Sequence, residues 1–270
     1  MTVCVAIKVN DGIVFAADSA VSLTTNTQQG PVVDNVWKNG LKVFNLHRDF
    51  PIVGMFAGLA HFGPVSISYL AKDLRIILEE NIFGNTYDFK QVVDFAYKFF
   101  DDAYQKNRPK TTSTHSFEFW IGGYDFQIQN GEIWKFEMQQ GKFNKPAQLV
   151  SPQVPDQILW GGQGQAISRL LLGYDPLIPL TFKLDPSKLF HLQTPLVHST
   201  MPLQDAIDLA NFLVDMTKNY FAFLPGADIV AGDTDIAAVT KHEGFKWINR
   251  KHYYPSEYNR RDTGHVTGKK

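Results

Sequence analysis

Residues 2–18 read TVCVAIKVNDGIVFAAD, and they contain two apolar runs on either side of a short polar break. Runs rich in β-branched and apolar residues predict strands, here at 2–9 and 13–17. The break, Asn10-Asp11-Gly12, is typical of a hairpin turn. We therefore expect the chain to begin with an antiparallel strand pair whose second strand runs up to Asp18.

The length of that turn decides which side chains share a face of the hairpin. With a two-residue loop, Thr2 and Asp18 point to opposite faces. With all of Asn10-Asp11-Gly12 in the loop and Gly12 in the left-handed conformation, the two side chains share one face, because strand side chains alternate. We expect the three-residue turn, with the Cα atoms of Thr2 and Asp18 about 7 to 8 Å apart.

Lys42 is the candidate for the space between those two side chains. It is the second residue of the apolar run at 41–46. A charge in such a run lies either on a solvated strand face or in an ion pair inside the protein. Both alternatives remain open from the residues alone.

The remaining pattern indicates groups of strands and helices that do not alternate one by one. Strands are expected at 41–46, 51–57, 117–124, 133–138, 158–160, 235–240 and 245–248, helices at 67–78 (behind Pro64), 92–103, 165–172 and 203–214, and a loop at 22–30. Segregated strands and helices predict an α+β fold with antiparallel sheets covered by helix pairs.

Composition limits the class of protein. We expect one domain at 1–250 and a polar, basic tail at 251–270, because no internal segment has linker composition. The net charge of -1 argues against a nucleic-acid or anionic-membrane partner. The single cysteine, Cys4, excludes an intrachain disulfide. No secretory signal pattern or long apolar run is visible, so we expect a cytoplasmic protein. The His residues lack metal-ligand spacing, and no metal or cofactor is expected.

Several short motifs resemble one known family when they are taken in order. They are Thr2, Asp11-Gly12, Ala16-Ala17-Asp18, Lys42-Val43-Phe44, Phe56-Ala57-Gly58, Gly122-Gly123-Tyr124-Asp125, Gly161-Gly162-Gln163-Gly164 and Ala231-Gly232-Asp233-Thr234-Asp235-Ile236. Over 2–250 the chain resembles the β-type subunits of the proteasome and their simpler bacterial relatives, which are N-terminal-nucleophile hydrolases. The resemblance implies a four-layer α/β/β/α sandwich of two antiparallel sheets flanked by helix pairs.

The resemblance also implies catalytic roles for Thr2, Asp18, Lys42 and Gly58. Removal of Met1 would expose Thr2 as the nucleophile, with its own α-amino group as the general base. An α-amino pKa near 7.7 to 8.0 leaves free amine at neutral pH. The positive charge of Lys42 would favour the alkoxide-like state of Thr2, Asp18 would hold Lys42 in place, and the N–H of Gly58, at a strand-to-helix turn, would donate to the oxyanion.

The function implied is a threonine-type peptidase or amidohydrolase that acts on a peptide or amide substrate and forms a homo-oligomeric ring or stack. Two alternatives stay open, which are a non-catalytic, ring-forming scaffold subunit of the same fold and a small-molecule amidase or acylase. The chain departs from the family pattern at Gln163, where a Ser is usual. It departs again at Ala227 or Asp228 and at Val230, where Asp and Ser are usual.

Overall fold

The computed structural model describes residues 2–27, 30–82, 87–108, 116–125 and 130–251, so Met1 and residues 252–270 of the expected tail lie outside the described residues. The elements run in the order β1 (Val3–Val9), β2 (Gly12–Ala17), β3 (Val21–Thr27), β4 (Gly30–Trp37), β5 (Val43–Asn45), β6 (Ile52–Gly58), β7 (His61–Phe62), β8 (Val65–Ser66), α1 (Ile67–Asn81), α2 (Phe89–Asn107), β9 (Phe117–Gly123), β10 (Glu132–Gln139), β11 (Lys142–Phe143), β12 (Ala147–Val150), β13 (Gln157–Gly162), α3 (Gln165–Leu172), α4 (Leu177–Phe182), a 3₁₀ helix (Pro186–Leu192), α5 (Leu203–Ala222), β14 (Asp235–Thr240) and β15 (Gly244–Asn249).

The predicted α+β class with antiparallel sheets is confirmed. One sheet, here the first sheet, has the strand order β13-β1-β2-β14-β15, and the other, the second sheet, has the order β11-β10-β9-β6-β5 with β12 also beside β10. The strand pairs described in both sheets are antiparallel. The helical periodicity was sufficient to locate α1, α2, α3 and α5, because each buries one apolar side.

Side chains of these elements form three hydrophobic clusters. The first lies between the second sheet and helices α1 and α2, with Phe56 and Phe100 among its members. The second lies between the first sheet and helices α3 and α5, with Val5 and Leu213 among its members. The third contains side chains of both sheets, Phe15 of β2 and Met55 of β6 among them.

The expected three-residue turn between β1 and β2 is wrong. Val9 pairs with Gly12, so Asn10-Asp11 is a two-residue loop. Gly12 is a strand residue without a positive φ. A Cβ there would lie 2.9 Å from the carbonyl oxygen of Val239 on β14. This glycine therefore permits the close approach of a neighbouring strand, which a single sequence does not distinguish from a turn glycine.

Two further expectations need correction. The predicted loop at 22–30 lies largely in β3, which pairs with β4 as a separate two-stranded ribbon. Its threonines favour extended backbone, although the segment has no alternation of apolar residues.

The turn after Gly58 does not lead directly into a helix, because the short β7–β8 hairpin intervenes. Helix α1 begins after Ser66, whose side chain accepts a hydrogen bond from the N–H of Tyr69.

Candidate active site

Asp18 is the most heavily bonded polar side chain of the candidate site. It follows the last residue of β2 and is fully buried. Its Oδ1 accepts the N–H of Val3 at 3.0 Å, and its Oδ2 accepts the N–H groups of Ala20 at 3.0 Å and Ala231 at 3.2 Å. The carboxylate therefore joins the start of β1 to the segment that leads into β14.

The geometry of Asp18 explains why the face-sharing argument for Thr2 failed. The N–H of Asp18 still donates to the carbonyl of Val3, at 3.4 Å, as the last bond of the hairpin. The return bond from the N–H of Val3 goes to the Asp18 carboxylate instead of its carbonyl. The chain leaves the strand ladder at this residue, so the alternation of side chains no longer decides where the carboxylate points.

Lys42 lies just before β5 of the second sheet and pairs with Asp18 across the two sheets. Its Nζ is 2.8 Å from Oδ1 of Asp18, and the Lys42 residue is 1% exposed. Of the two alternatives for this lysine, the solvated strand face is therefore wrong. Burial lowers the pKa of the Lys42 ammonium below its ordinary value, and the charge and hydrogen bond of Asp18 oppose that shift.

Thr2 is held by the glycine-rich turn that follows β13. The N–H of Gln163 donates to the carbonyl of Thr2 at 2.6 Å. Gly162 has a φ of +67°, and a Cβ there would lie 1.9 Å from the same carbonyl oxygen. Only glycine fits this contact, and Thr2 is 2% exposed. The turn thus fixes the backbone of the residue that precedes β1.

Gly58 ends β6 on the side of the second sheet that approaches this turn. The Cβ of its neighbour Ala57 is 3.6 Å from the position a Cβ would take at Gly162. Gly58 has a φ of +91°, and a Cβ there would lie 2.1 Å from the carbonyl oxygen of Ser116. A side chain at residue 58 is therefore excluded both by conformation and by space.

At the positions that depart from the family pattern, the structure shows a contact to the candidate site only from the backbone of Gln163. Gln163 supplies its N–H to Thr2, as described above. Val230 is buried in the cluster between the first sheet and α5. Asp228 lies 3.7 Å from the exposed Lys38. The residue after Val230, Ala231, donates its backbone N–H to the Asp18 carboxylate.

Sequence reasoning missed a second buried ion pair beside the first. Lys251, which follows β15, has its Nζ 2.8 Å from Oδ2 of Asp235, and the two side chains are 7% and 0% exposed. The Lys251 ammonium also donates to the hydroxyl of Ser19, the residue after Asp18. The sequence signal was an acid in an apolar closing strand, since an acid in such a position needs a partner.

The described part of the chain contains neither a candidate metal cluster nor a candidate membrane span. No group of three or more His, Cys, Asp or Glu side chains in those residues could hold a metal ion. None of the helices described there is long and apolar enough to cross a membrane. Cys4 is buried between the sheets, and burial raises the pKa of its thiol.

Comparison with known proteins identifies a shared fold. No protein-family model matches the chain, and no curated protein matches it. Among solved structures, the Anbu complex from Pseudomonas aeruginosa, described as a helical assembly, matches with a TM-score of 0.53 and 14% identity over 93% of this chain and 88% of that chain. A Gly-1 mutant of Anbu from Hyphomicrobium sp. strain MC1 matches with a TM-score of 0.50 and 13% identity over 94% and 90%.

Anbu from Yersinia bercovieri, described as an ancestral beta-subunit, gives a TM-score of 0.48 and 13% identity over 93% of this chain and 88% of that chain. Identities this low show the fold alone. The assignment to the proteasome β-type subunits, made from the sequence, is wrong, because no family model matches and the solved structures that match with TM-scores of 0.53 and 0.50 are Anbu proteins. The chain is similar in fold to Anbu.

Proposed function

We propose that this chain is a threonine-type peptidase or amidohydrolase in which Thr2, once Met1 is removed, is an N-terminal nucleophile. The observation that carries the proposal is the buried Asp18–Lys42 pair, with a 2.8 Å contact, tied to the residue next to Thr2 by the bond from the N–H of Val3. An ammonium and a carboxylate buried together cost free energy of desolvation, so such a pair next to a candidate nucleophile favours a catalytic role.

The proposed reaction passes through an ester. The Thr2 hydroxyl oxygen bonds to the carbonyl carbon of the substrate, and its proton passes to the Thr2 α-amino group. Collapse of the tetrahedral intermediate breaks the C–N bond, and the amine leaves with that proton. Water then attacks the ester, which releases the carboxylic acid and restores the hydroxyl.

The other side chains stabilise charge in this scheme. The Lys42 ammonium favours the developing negative charge on the Thr2 oxygen, and Asp18 orients that ammonium. The N–H of Gly58 donates to the oxyanion of the tetrahedral intermediate.

The architecture that we propose for this site is the four-layer α/β/β/α sandwich. The three hydrophobic clusters support it, since one contains side chains of both sheets and each of the others joins one sheet to helices. We also propose that 1–250 forms one domain, that the polar tail begins only after the buried Lys251, and that the protein acts in the cytoplasm. Removal of Met1 is required before the Thr2 amine is available.

A homo-oligomer is part of the proposal. The helical assembly of Anbu from Pseudomonas aeruginosa supports it by analogy of fold. The chain also exposes large apolar side chains around α4 and the end of α5, with Leu180 76% exposed, Phe190 71% and Phe223 90%. Seven large apolar side chains within 177–192 are exposed, and a stretch of exposed apolar surface is typical of protein interfaces.

A non-catalytic subunit of the same fold is the second candidate. The burial of Thr2, which is only 2% exposed, favours it, because a nucleophile must contact its substrate. In that case the Asp18–Lys42 pair would be structural.

The test compares two forms of the full chain, one that retains Met1 and one that begins at Thr2. Each is incubated with a panel of peptide amides and small acyl amides, and the released amine is measured. The proposal predicts release only by the form that begins at Thr2, and none by that form with Thr2→Ala. No release by either form would favour the non-catalytic subunit, and release confined to the small amides would indicate an amidase or acylase.

A further inference from the structure

Lys251 is bound at two points to one buried carboxylate. Its Nζ is 2.8 Å from Oδ2 of Asp235, and its backbone N–H donates to Oδ1 of the same residue at 3.3 Å. The side chain is only 7% exposed. Bonding of both the main chain and the side chain to one carboxylate fixes the segment after β15 against the first residue of β14.

The same ammonium reaches the segment that carries Asp18. It donates to the hydroxyl of Ser19, which in turn donates to the carbonyl of Asp233. Ser19 is fully buried, and its N–H donates to the carbonyl of Ala231 at 3.0 Å. Residue 231 also donates its N–H to Asp18. One connected set of bonds therefore joins Lys251 to the carboxylate that pairs with Lys42.

The charged groups of this set shift one another's pKa values. Burial raises the pKa of Asp235, and the charge of Lys251, with a smaller effect from Arg250, opposes the rise. Burial lowers the pKa of Lys42, Asp18 and Cys4 raise it, and the charge of Lys251 lowers it by a smaller amount. A second cation near a buried ammonium makes its protonated form less favourable.

We infer that Lys251 is a positioning residue of the Thr2 site: by holding Ser19 and Asp235 it fixes the segment that carries Asp18, and with it the Asp18–Lys42 pair. Its effect on catalysis rests on the function proposed above, whereas its effect on Lys42 does not. The segment after β15 thereby becomes part of the site, although Lys251 is more than 200 residues from Asp18 in the chain.

A purely structural role for Lys251 predicts something different. In that case its loss lowers the stability of the fold, but the folded fraction keeps the same Lys42 protonation and the same pH dependence of reaction at Thr2. The measurement must therefore report on the folded protein and on Lys42 itself.

The experiment uses the full chain that begins at Thr2, in the wild type and in the variants Lys251→Met, Lys251→Gln and Lys251→Arg. Lys246→Met is the matched control, because Lys246 is an exposed lysine of β15. The titration of Lys42 is followed by NMR of ¹³C-labelled lysine, with Lys42→Arg used for assignment. In parallel, the rate of modification of Thr2 by an electrophile that bonds to the hydroxyl and amine of an N-terminal threonine is measured as a function of pH. Lys251→Gln keeps a donor for Asp235 and provides a second neutral variant in case Lys251→Met does not fold.

The expected result is a higher pKa of Lys42 in Lys251→Met and Lys251→Gln, because a nearby cation has been removed. The rate at Thr2 should be about tenfold lower, because the segment that carries Asp18 is no longer held and Asp18 orients the Lys42 ammonium less well. Lys251→Arg and Lys246→Met should match the wild type in both measurements. An unchanged Lys42 titration in the folded neutral variants would overturn the inference. If the wild type is not modified at Thr2, the proposed function fails, and the Lys42 titration still decides whether Lys251 acts on this pair.

Discussion

The Lys42 ammonium lies 2.8 Å from Oδ1 of Asp18, with both side chains buried, and it joins the second sheet to the first. Each oxygen of the Asp18 carboxylate accepts two hydrogen bonds, and three of the four donors are backbone N–H groups. A buried charge is tolerated only when it is paired and hydrogen-bonded in this way. The pair is therefore sensitive to the loss of either member.

Asp18→Asn should destabilise the protein by about 3 to 5 kcal/mol, because it removes the negative charge that faces the buried Lys42 ammonium and turns an amide N–H₂ toward backbone donors. Denaturant unfolding followed by circular dichroism measures the change. Asp94→Asn is the control, since Asp94 pairs with Lys90 on the surface, and it should change stability by less than about 1 kcal/mol. Similar values for the two variants would contradict the structural account of Asp18.

Lys42→Met should lower the rate of modification at Thr2 by about a hundredfold or more, because the site loses the charge that favours the alkoxide-like state. Its stability should fall less than that of Asp18→Asn, since Asp18 keeps three backbone donors. Modification kinetics of the folded protein provide the measurement. A rate within a factor of two of the wild type would remove Lys42 from the proposed mechanism.

Gly162→Ala should disturb Thr2 more than a comparable glycine substitution elsewhere. Gly162 and Gly244 have similar φ values, +67° and +72°, but a Cβ at residue 244 has no neighbour within 4 Å, whereas one at residue 162 lies 1.9 Å from the carbonyl of Thr2. Gly244→Ala should cost about 1 kcal/mol from backbone strain alone. Gly162→Ala should cost clearly more and should slow reaction at Thr2. Equal stability losses for the two variants would show that the contact with Thr2 is relaxed in solution.

Lys8 should contribute a pH dependence to stability. Its Nζ donates to the carbonyl of Ser151 at 3.0 Å, and burial lowers its pKa from 10.5 to about 8, with Glu132 acting in the opposite direction. Between those pH values the unfolded chain binds a proton that the folded chain has released. The free energy of unfolding of the wild type should therefore rise with pH across this window, relative to Lys8→Met.

Unfolding in urea at about pH 8 and pH 10 tests this sign. The difference in stability between the wild type and Lys8→Met should move in favour of the wild type at the higher pH. Lys241→Met, at an exposed position, should show no such change. A difference that does not change with pH would mean that Lys8 is solvated in the folded protein.

The sheets and the long helices were predictable from the sequence because burial imposes a repeat on their residues. The ribbon of β3 and β4 was not predictable, since none of its described side chains is buried and the ribbon lies outside the three apolar clusters. The turn between β1 and β2 was predicted wrongly because Gly12 is required by the approach of Val239, a contact between distant parts of the chain.

The candidate site was likewise predictable only in part. The resemblance named Thr2, Asp18 and Lys42 as candidates, but the contact between Asp18 and Lys42 does not arise from the expected face-sharing in the hairpin. Asp18 leaves the strand ladder, and its carboxylate replaces its own carbonyl as acceptor. The Lys251–Asp235 pair was missed because 251 was expected to belong to the tail, and only the folded chain shows that this lysine packs against Ser19.

The most direct test of the central claim is the position of a single adduct. The full chain that begins at Thr2 is treated with an electrophile that bonds to the hydroxyl and amine of an N-terminal threonine, and the modified residue is located by peptide mass spectrometry. We predict one adduct per chain, on Thr2, and none in Thr2→Ala. Failure of the wild type to form an adduct, or an adduct that persists in Thr2→Ala, on Cys4 for example, would contradict the assignment of Thr2 as the nucleophile.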